Sequence, residues 1–181
     1  MALDALVDHL TANALRTDGP FTLRSGAVSD WYVDARQTTF DGDGARRVGE
    51  AVLGVLRSEV DAVGGMTMGA DPIAVATAMT AAIQGRDIKA FSIRKEDKDH
   101  GTGGRIVGPI EISMSLAVIE DTTTTGGAAV EAARYLLEQG YRVVQSVVLV
   151  DRSDGKAAAN FAGLGIEHIA LVTPEDLGVS P

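Results

Sequence analysis

Apolar residues recur along this chain in two patterns, one helical and one of short strand-length runs. Leu3, Leu6, Val7, Leu10 and Ala14 share a helical face, so an amphipathic helix opens the sequence. Thr17-Asp18-Gly19-Pro20 is a turn cluster that ends it. Two extended pieces follow, at 21–24 and 31–35, joined through Ser25-Gly26. Val48, Ala51, Val52, Val55 and Leu56 mark a second helix. From there strands and helices alternate. A strand at 61–65 precedes an Ala-rich helix at 72–83, and a strand at 88–94 precedes a polar, glycine-bearing stretch at 95–108. Positions 115–120 read as a strand and 128–138 as a helix closed by Gly140, with apolar strands at 143–150 and 166–172.

This alternation predicts an α/β fold, an open and mainly parallel sheet flanked by helices. Residues 1–40 do not share the rhythm. They are expected to form a small N-terminal hood within a single domain whose core runs over 41–181. With 45% apolar residues but only 4% aromatic, the core must come from Val, Ile, Leu and Ala, which suits parallel strands covered by helices. The lack of cysteine excludes disulfides, thiolate metal sites and cysteine nucleophiles, and it fits a reducing cytoplasm. A net charge of -9 disfavours nucleic acid and anionic membranes as partners unless a local basic patch intervenes. No apolar run approaches the roughly 20 residues of a membrane span. The N-terminal segment carries Asp4 and Asp8 without the basic start of a signal peptide. The expectation is a soluble, cytoplasmic protein.

Candidate chemistry concentrates in two places. Leu116-Ala117-Val118-Ile119-Glu120-Asp121 is an apolar strand ending on two carboxylates, and Thr122-Thr123-Thr124-Thr125-Gly126-Gly127 leads from it into the helix beginning at Ala128. In open α/β sheets, ligands bind beyond the carboxyl ends of the strands. Glycines let successive N–H groups converge on one anion, and the helix N-terminus adds positive potential. The carboxylates would repel a phosphate alone. They make sense against a sugar diol, or beside a Mg²⁺ carried mainly by the ligand's own phosphates. A phosphorylated sugar meets all three demands. The bland alternative is an ordinary capped strand-turn-helix connection. Neither G-x-x-x-x-G-K-[ST] nor a G-x-G-x-x-G strand-to-helix junction is present.

The second place is Arg94-Lys95-Glu96-Asp97-Lys98-Asp99-His100-Gly101-Thr102-Gly103-Gly104-Arg105, four cations and a histidine interleaved with three acids. Alone, such a run is a solvated charge cluster. Beside a phosphate cradle in an acidic chain, its lysines can attract a polyanionic substrate.

The segment from Val118 to Gly126 resembles the phosphoribosyl-pyrophosphate signature of the type I phosphoribosyltransferases. The resemblance implies a Rossmann-like fold, with Glu120 and Asp121 on the ribose hydroxyls. It also implies that Thr122, Thr123, Thr124, Thr125, Gly126, Gly127 and Ala128 wrap the 5-phosphate. The basic segment resembles the catalytic loop of orotate phosphoribosyltransferases, R-K-x-x-K-x-H-G-x-G, and meets each position with Arg94, Lys95, Lys98, His100, Gly101 and Gly103. By that likeness Arg94, Lys95, Lys98 and His100 hold the donor, and the loop closes across a homodimer interface onto the partner's site. Lys98, His100 and Asp121 are then the catalytic candidates, Lys98 also as a proton donor to the leaving pyrophosphate.

Phe21-Thr22-Leu23-Arg24-Ser25-Gly26 resembles the family's F-T-L-x-S-G hood segment, with Arg24 where lysine is common. Trp31-Tyr32 takes the place of an aromatic pair that lies against the base or packs in the core. Arg152 matches the arginine that reads the orotate carboxylate, so Arg24, Thr124 and Arg152 are the orotate-binding candidates. Gly69 departs from the lysine of many relatives and removes one phosphate contact. The implied substrates are orotate and phosphoribosyl pyrophosphate, with Mg²⁺ as cofactor and no side-chain metal ligand assigned. The implied products are orotidine 5'-phosphate and pyrophosphate. A phosphoribosyltransferase for another base and a non-catalytic donor-binding regulator stay open as alternatives. Lys98→Ala is expected to lower kcat by about 100-fold or more while changing donor binding little, read by steady-state kinetics against donor titration. An unchanged rate would remove the loop from the mechanism.

Overall fold

The computed structural model describes residues 2–22, 26, 28–96 and 104–180. The opening helix α1 (Ala2–Asn13) precedes four two-residue strands, β1 (Leu15–Arg16), β2 (Phe21–Thr22), β3 (Val28–Ser29) and β4 (Tyr32–Val33). Then come α2 (Arg36–Thr39) and α3 (Gly42–Val55). The alternating part consists of β5 (Ala62–Met66), α4 (Ala70–Ile83), β6 (Lys89–Ile93), β7 (Ile106–Val107), β8 (Ser115–Thr123), α5 (Gly127–Glu138), β9 (Arg142–Asp151), α6 (Lys156–Ala162) and β10 (Glu167–Val172).

Six strands form one sheet in the order β10-β9-β8-β5-β6-β7, all parallel except the edge strand β7. This is the α/β architecture the alternation predicts. Successive residues of β8 serve opposite faces. Leu116 and Val118 join Ala132, Ala133 and Leu136 of α5 and Phe161 of α6. Ala117 and Ile119 join Val48 and Val52 of α3, Ile73 and Ala74 of α4, and Leu6 and Leu10 of α1. The first helix therefore packs into the main core, while β1 pairs with β4 and β2 with β3 outside the six-stranded sheet. His9 fastens α1 to the next layer through Thr38 Oγ1 at 3.2 Å and Asp41 Oδ1 at 3.1 Å. Asp41 also caps α3, accepting from the amides of Asp43 and Gly44.

Several boundaries differ from the periodicity. β8 runs past Glu120 to Thr123 because β9 keeps pairing with it, Thr122 with Val150 and Thr123 with Asp151. The acidic pair is thus inside a strand rather than at its tip. α4 starts at Ala70, two residues before the expected Pro72, since proline in a first turn gives up only an amide that lacks a helical partner. The short elements β1, β3, α2 and α6 contain at most seven residues, too few to display a period. Among the described residues, no helix is long and apolar enough to cross a membrane.

Phe161 is fully buried and stacks on His168 at a centroid distance of 5.1 Å, which fixes α6 against β10. Phe161→Ala is expected to cost about 3–5 kcal/mol in urea unfolding. A loss under about 1 kcal/mol would mean that α6 is not held through this ring.

Candidate active site

The C-terminal ends of β5, β8 and β9 meet at one edge of the sheet. There β8 delivers Glu120 and Asp121, and the chain turns through Thr124, Thr125 and Gly126 into α5. Gly126 has φ 80°, a left-handed conformation that strains any side chain. Thr123 is buried, and its hydroxyl accepts from the Gly126 amide at 2.7 Å. Thr125 Oγ1 accepts from the Gly127 amide at 3.3 Å, and Asn160 donates to the Thr125 carbonyl at 2.9 Å. Two threonines therefore shape the turn. Thr124 is exposed and makes no hydrogen bond among the described residues, and Gly127 and Ala128 are exposed beside it. The amides of a helix's first turn have no helical acceptor, so this exposed turn, which carries no charged side chain, suits an anion.

The carboxylates occupy a different electrostatic setting. Burial raises Glu120 from its ordinary 4.5 to about 7; the charges of Asp121 and Asp151 add to the shift and Thr123 opposes it. Its Oε2 is buried without a hydrogen-bond partner. Asp121 is also raised, first by burial, against the opposing Thr122 amide at 2.8 Å and the positive charge of Arg36. Gly69 makes room for it: a Cβ there would lie 2.5 Å from Asp121 Oδ1. No side chain can occupy position 69 while that carboxylate stays in place.

Arg152 follows β9, and its amide donates to the Thr123 carbonyl at 2.8 Å. Its guanidinium lies 3.7 Å from the centroid of the Trp31 ring, and Nη2 reaches Ser29 Oγ at 3.4 Å. Nε is buried without a partner, and among the described residues no carboxylate pairs with this arginine. Burial lowers its pKa, yet a guanidinium remains charged. Buried polar atoms lacking a partner call for a reason. Three of the four such atoms among the described residues are on Asp71 in the first turn of α4, Glu120 in the last part of β8 and Arg152 directly after β9. Behind Arg152, His168 contacts Asp151 Oδ2 at 3.3 Å and Ser146 Oγ at 3.2 Å, while Asp151 Oδ1 accepts from the Ser153 amide at 2.7 Å.

At the neighbouring end of β6, Arg94 is partly buried and Lys95 exposed. Arg105 closes the stem of the basic segment: its carbonyl accepts from the Arg94 amide at 2.8 Å, and its Nε donates to the Arg94 carbonyl at 2.6 Å. Its guanidinium also bonds Glu131 at 2.9 Å and lies over Tyr135, linking the stem to α5. Arg24, Lys98 and His100 lie outside the described residues, as do Gly101 and Gly103. The fold thus assembles Glu120, Asp121, the threonine turn and Arg152 on adjacent strands. Trp31, Ser29 and the Asp34–Arg36 pair beside Asp121 were not singled out as a group by sequence, because nothing local marks them as neighbours of residues 121 and 152.

No protein-family model matches the chain. It is 41% identical over 176 residues to the orotate phosphoribosyltransferase of Streptomyces avermitilis, an alignment covering 97% of this chain and 96% of the relative. The chain belongs to the orotate phosphoribosyltransferase family. Among solved structures, a phosphoribosyltransferase from Corynebacterium diphtheriae superposes with TM-score 0.83 at 34% identity, over 99% of this chain and 100% of the other. The orotate phosphoribosyltransferase of Mycobacterium tuberculosis in complex with 5-phospho-α-D-ribosyl 1-diphosphate gives 0.80 at 28% identity, with coverages of 99% and 100%. The fold is that of the type I phosphoribosyltransferases, and a member of this family is a transferase.

The raised Glu120 carboxyl has a consequence for stability. Between 4.5 and about 7 the folded chain holds a proton there that the unfolded chain has lost. The resulting stabilisation is full below about 4.5 and disappears as pH rises through about 7. Glu120→Gln, which stays neutral, is expected to gain stability over the parent between about pH 5 and about pH 8, measured as urea midpoints. Parallel pH profiles for the two proteins would contradict the raised carboxyl.

Proposed function

We propose that this chain is an orotate phosphoribosyltransferase, transferring the 5-phosphoribosyl group of phosphoribosyl pyrophosphate to orotate and giving orotidine 5'-phosphate and pyrophosphate. The observation that carries this reading is the half-buried guanidinium of Arg152, without a carboxylate partner among the described residues, beside the acidic pair and threonine turn. A cation without a carboxylate partner, next to a cradle for a sugar phosphate, suits an acceptor that brings its own carboxylate through paired hydrogen bonds. Orotate carries one and purines do not, which weighs against a purine acceptor. The family's complete basic motif weighs against a non-catalytic regulator.

In this reading a ring nitrogen of orotate, giving up its proton to solvent, forms a bond to the anomeric carbon as the bond to pyrophosphate breaks and the departing pyrophosphate takes up a proton. Positive charge develops on the sugar, as in glycoside cleavage. Glu120 and Asp121 accept hydrogen bonds from the ribose hydroxyls and fix the ring. Thr122, Thr123, Thr124, Thr125, Gly126, Gly127 and Ala128 form the 5-phosphate site, the buried Thr123 through its support of the turn. Arg94, Lys95, Lys98 and His100 face the leaving pyrophosphate, with Lys98 the proton donor to it, and Arg24 and Thr124 border the base. Within residues 1–40, the segment after α1 contributes the hood over the base, while α1 itself packs into the core of the same single domain.

Mg²⁺ is the cofactor this chemistry implies, and it offsets negative charge on the pyrophosphate when bound. Glu120 and Asp121 are two adjacent carboxylates, which would fit an ion carried mainly by the donor's phosphates. Val75, Met79 and Ile83 form a stripe on α4 that is 51%, 62% and 85% exposed. An apolar stripe at helical spacing supports a homodimer, in which the basic loop would serve the partner's site. The place of the reaction is pyrimidine nucleotide synthesis leading to UMP in the cytoplasm.

With Mg²⁺ and donor, the protein should consume orotate, followed by loss of its ultraviolet absorbance. Arg152→Ala should raise the orotate KM roughly 10- to 100-fold and leave the donor KM near the parent's. Turnover of hypoxanthine or uracil without orotate would reject the acceptor assignment.

A further inference from the structure

The indole of Trp31 has two commitments. One face carries the Arg152 guanidinium at 3.7 Å, and the ring Nε1 donates to the Ser180 carbonyl at 2.8 Å. The latter bond spans 149 positions of sequence and ties the N-terminal segment to the end of the chain. The ring is 7% exposed. The remaining contacts close a loop around Arg152. Ser29 Oγ donates to the Trp31 carbonyl at 2.7 Å and accepts from Arg152 Nη2 at 3.4 Å.

The end of the chain is built to hold this position. After β10, the Thr173 amide and hydroxyl both donate to Asp176 Oδ2 at 2.8 Å. The Gly178 amide donates to the Glu175 carbonyl and the Val179 amide to the Pro174 carbonyl, each at 3.0 Å. Leu177 is buried in the same apolar cluster as Trp31, and Val179 packs against that cluster. Residues 173–180 therefore form a hydrogen-bonded strap whose last described carbonyl meets the indole N–H.

We propose that Trp31 and the C-terminal strap form a positioning device for the acceptor site: the strap fixes the indole, and the indole and Ser29 fix the Arg152 guanidinium for the acceptor's carboxylate. A guanidinium on a long flexible stem loses conformational freedom when it binds. Holding it against an aromatic face before the acceptor arrives removes part of that cost, and a cation over an indole is itself favourable. The strap contributes a backbone carbonyl, so the device depends on where the chain's last residues run rather than on a side chain there.

The inference rests on the reading of Arg152 given above, and its test separates the two. Trp31→Phe keeps an aromatic face but removes the N–H. A truncation removing residues 179–181 deletes the acceptor of that N–H and leaves the indole. Both are expected to raise the orotate KM roughly three- to tenfold while the donor KM stays near the parent's. Trp31→Leu, which also removes the aromatic face, should raise it further. Trp31 is the chain's one tryptophan, so its emission reports the site directly. Orotate should change that emission in the parent, and the truncated protein should emit at longer wavelength with a weaker response. If Arg152→Ala raises the orotate KM but Trp31→Phe and the truncation do not, the positioning device is wrong and the reading of Arg152 stands. If Arg152→Ala has no effect on orotate, both fall. Loss of stability in Trp31→Phe with an unchanged orotate KM would reduce Trp31 to core packing and overturn the proposal.

Discussion

The amide of Arg152 donates to the carbonyl of Thr123, continuing the β8–β9 ladder beyond its last paired residues. Much of the site depends on that continuation. It holds the start of the threonine turn and the base of the arginine at a backbone hydrogen-bond distance, which side chains alone would not maintain. It also carries Glu120 and Asp121 inside a paired strand. Their carboxylates are consequently held in a partly buried setting that raises both pKa values. A strand ending at Glu120 would have left the pair in a solvated loop with ordinary acidity.

The site is then a balance of unlike electrostatics within one sheet edge. The turn offers amides and hydroxyls without net charge, the strand offers carboxylates reluctant to ionise, and β9 offers a cation without a carboxylate partner among the described residues. The carboxylates and the cation cost stability in isolation, since the buried Glu120 Oε2 and Arg152 Nε lack hydrogen-bond partners among the described residues. A ligand carrying a phosphate, a diol and a carboxylate would supply partners for all three. The surrounding core keeps them in place: Leu116, Val118, Ala117 and Ile119 anchor β8 to both helical layers.

Small residues are part of the same balance. Gly69 lies where any Cβ would press on Asp121, so the carboxylate fills the space that a side chain there would need. Arg105 joins the stem of the basic segment to α5, the helix that begins at the threonine turn. The basic segment and the threonine turn thus share one mechanical connection.

The amino-acid sequence by itself determined the alternating strands and helices, the acidic pair running into the threonine turn, and the basic motif around Lys98. These are local features: hydrophobic period, turn chemistry and residue order are set within about a dozen positions. Elements such as α6, β1 and β3 are too short to announce themselves that way. Arg152 was legible as a candidate by resemblance, but its surroundings were not. Only the tertiary structure decided that Trp31 lies under it and that Ser180 holds Trp31. The same holds for Gly69 against Asp121 and His168 behind the Arg152 turn. Those contacts join residues far apart along the chain, and a single sequence carries no period or spacing that records which distant side chains the packed core will bring together.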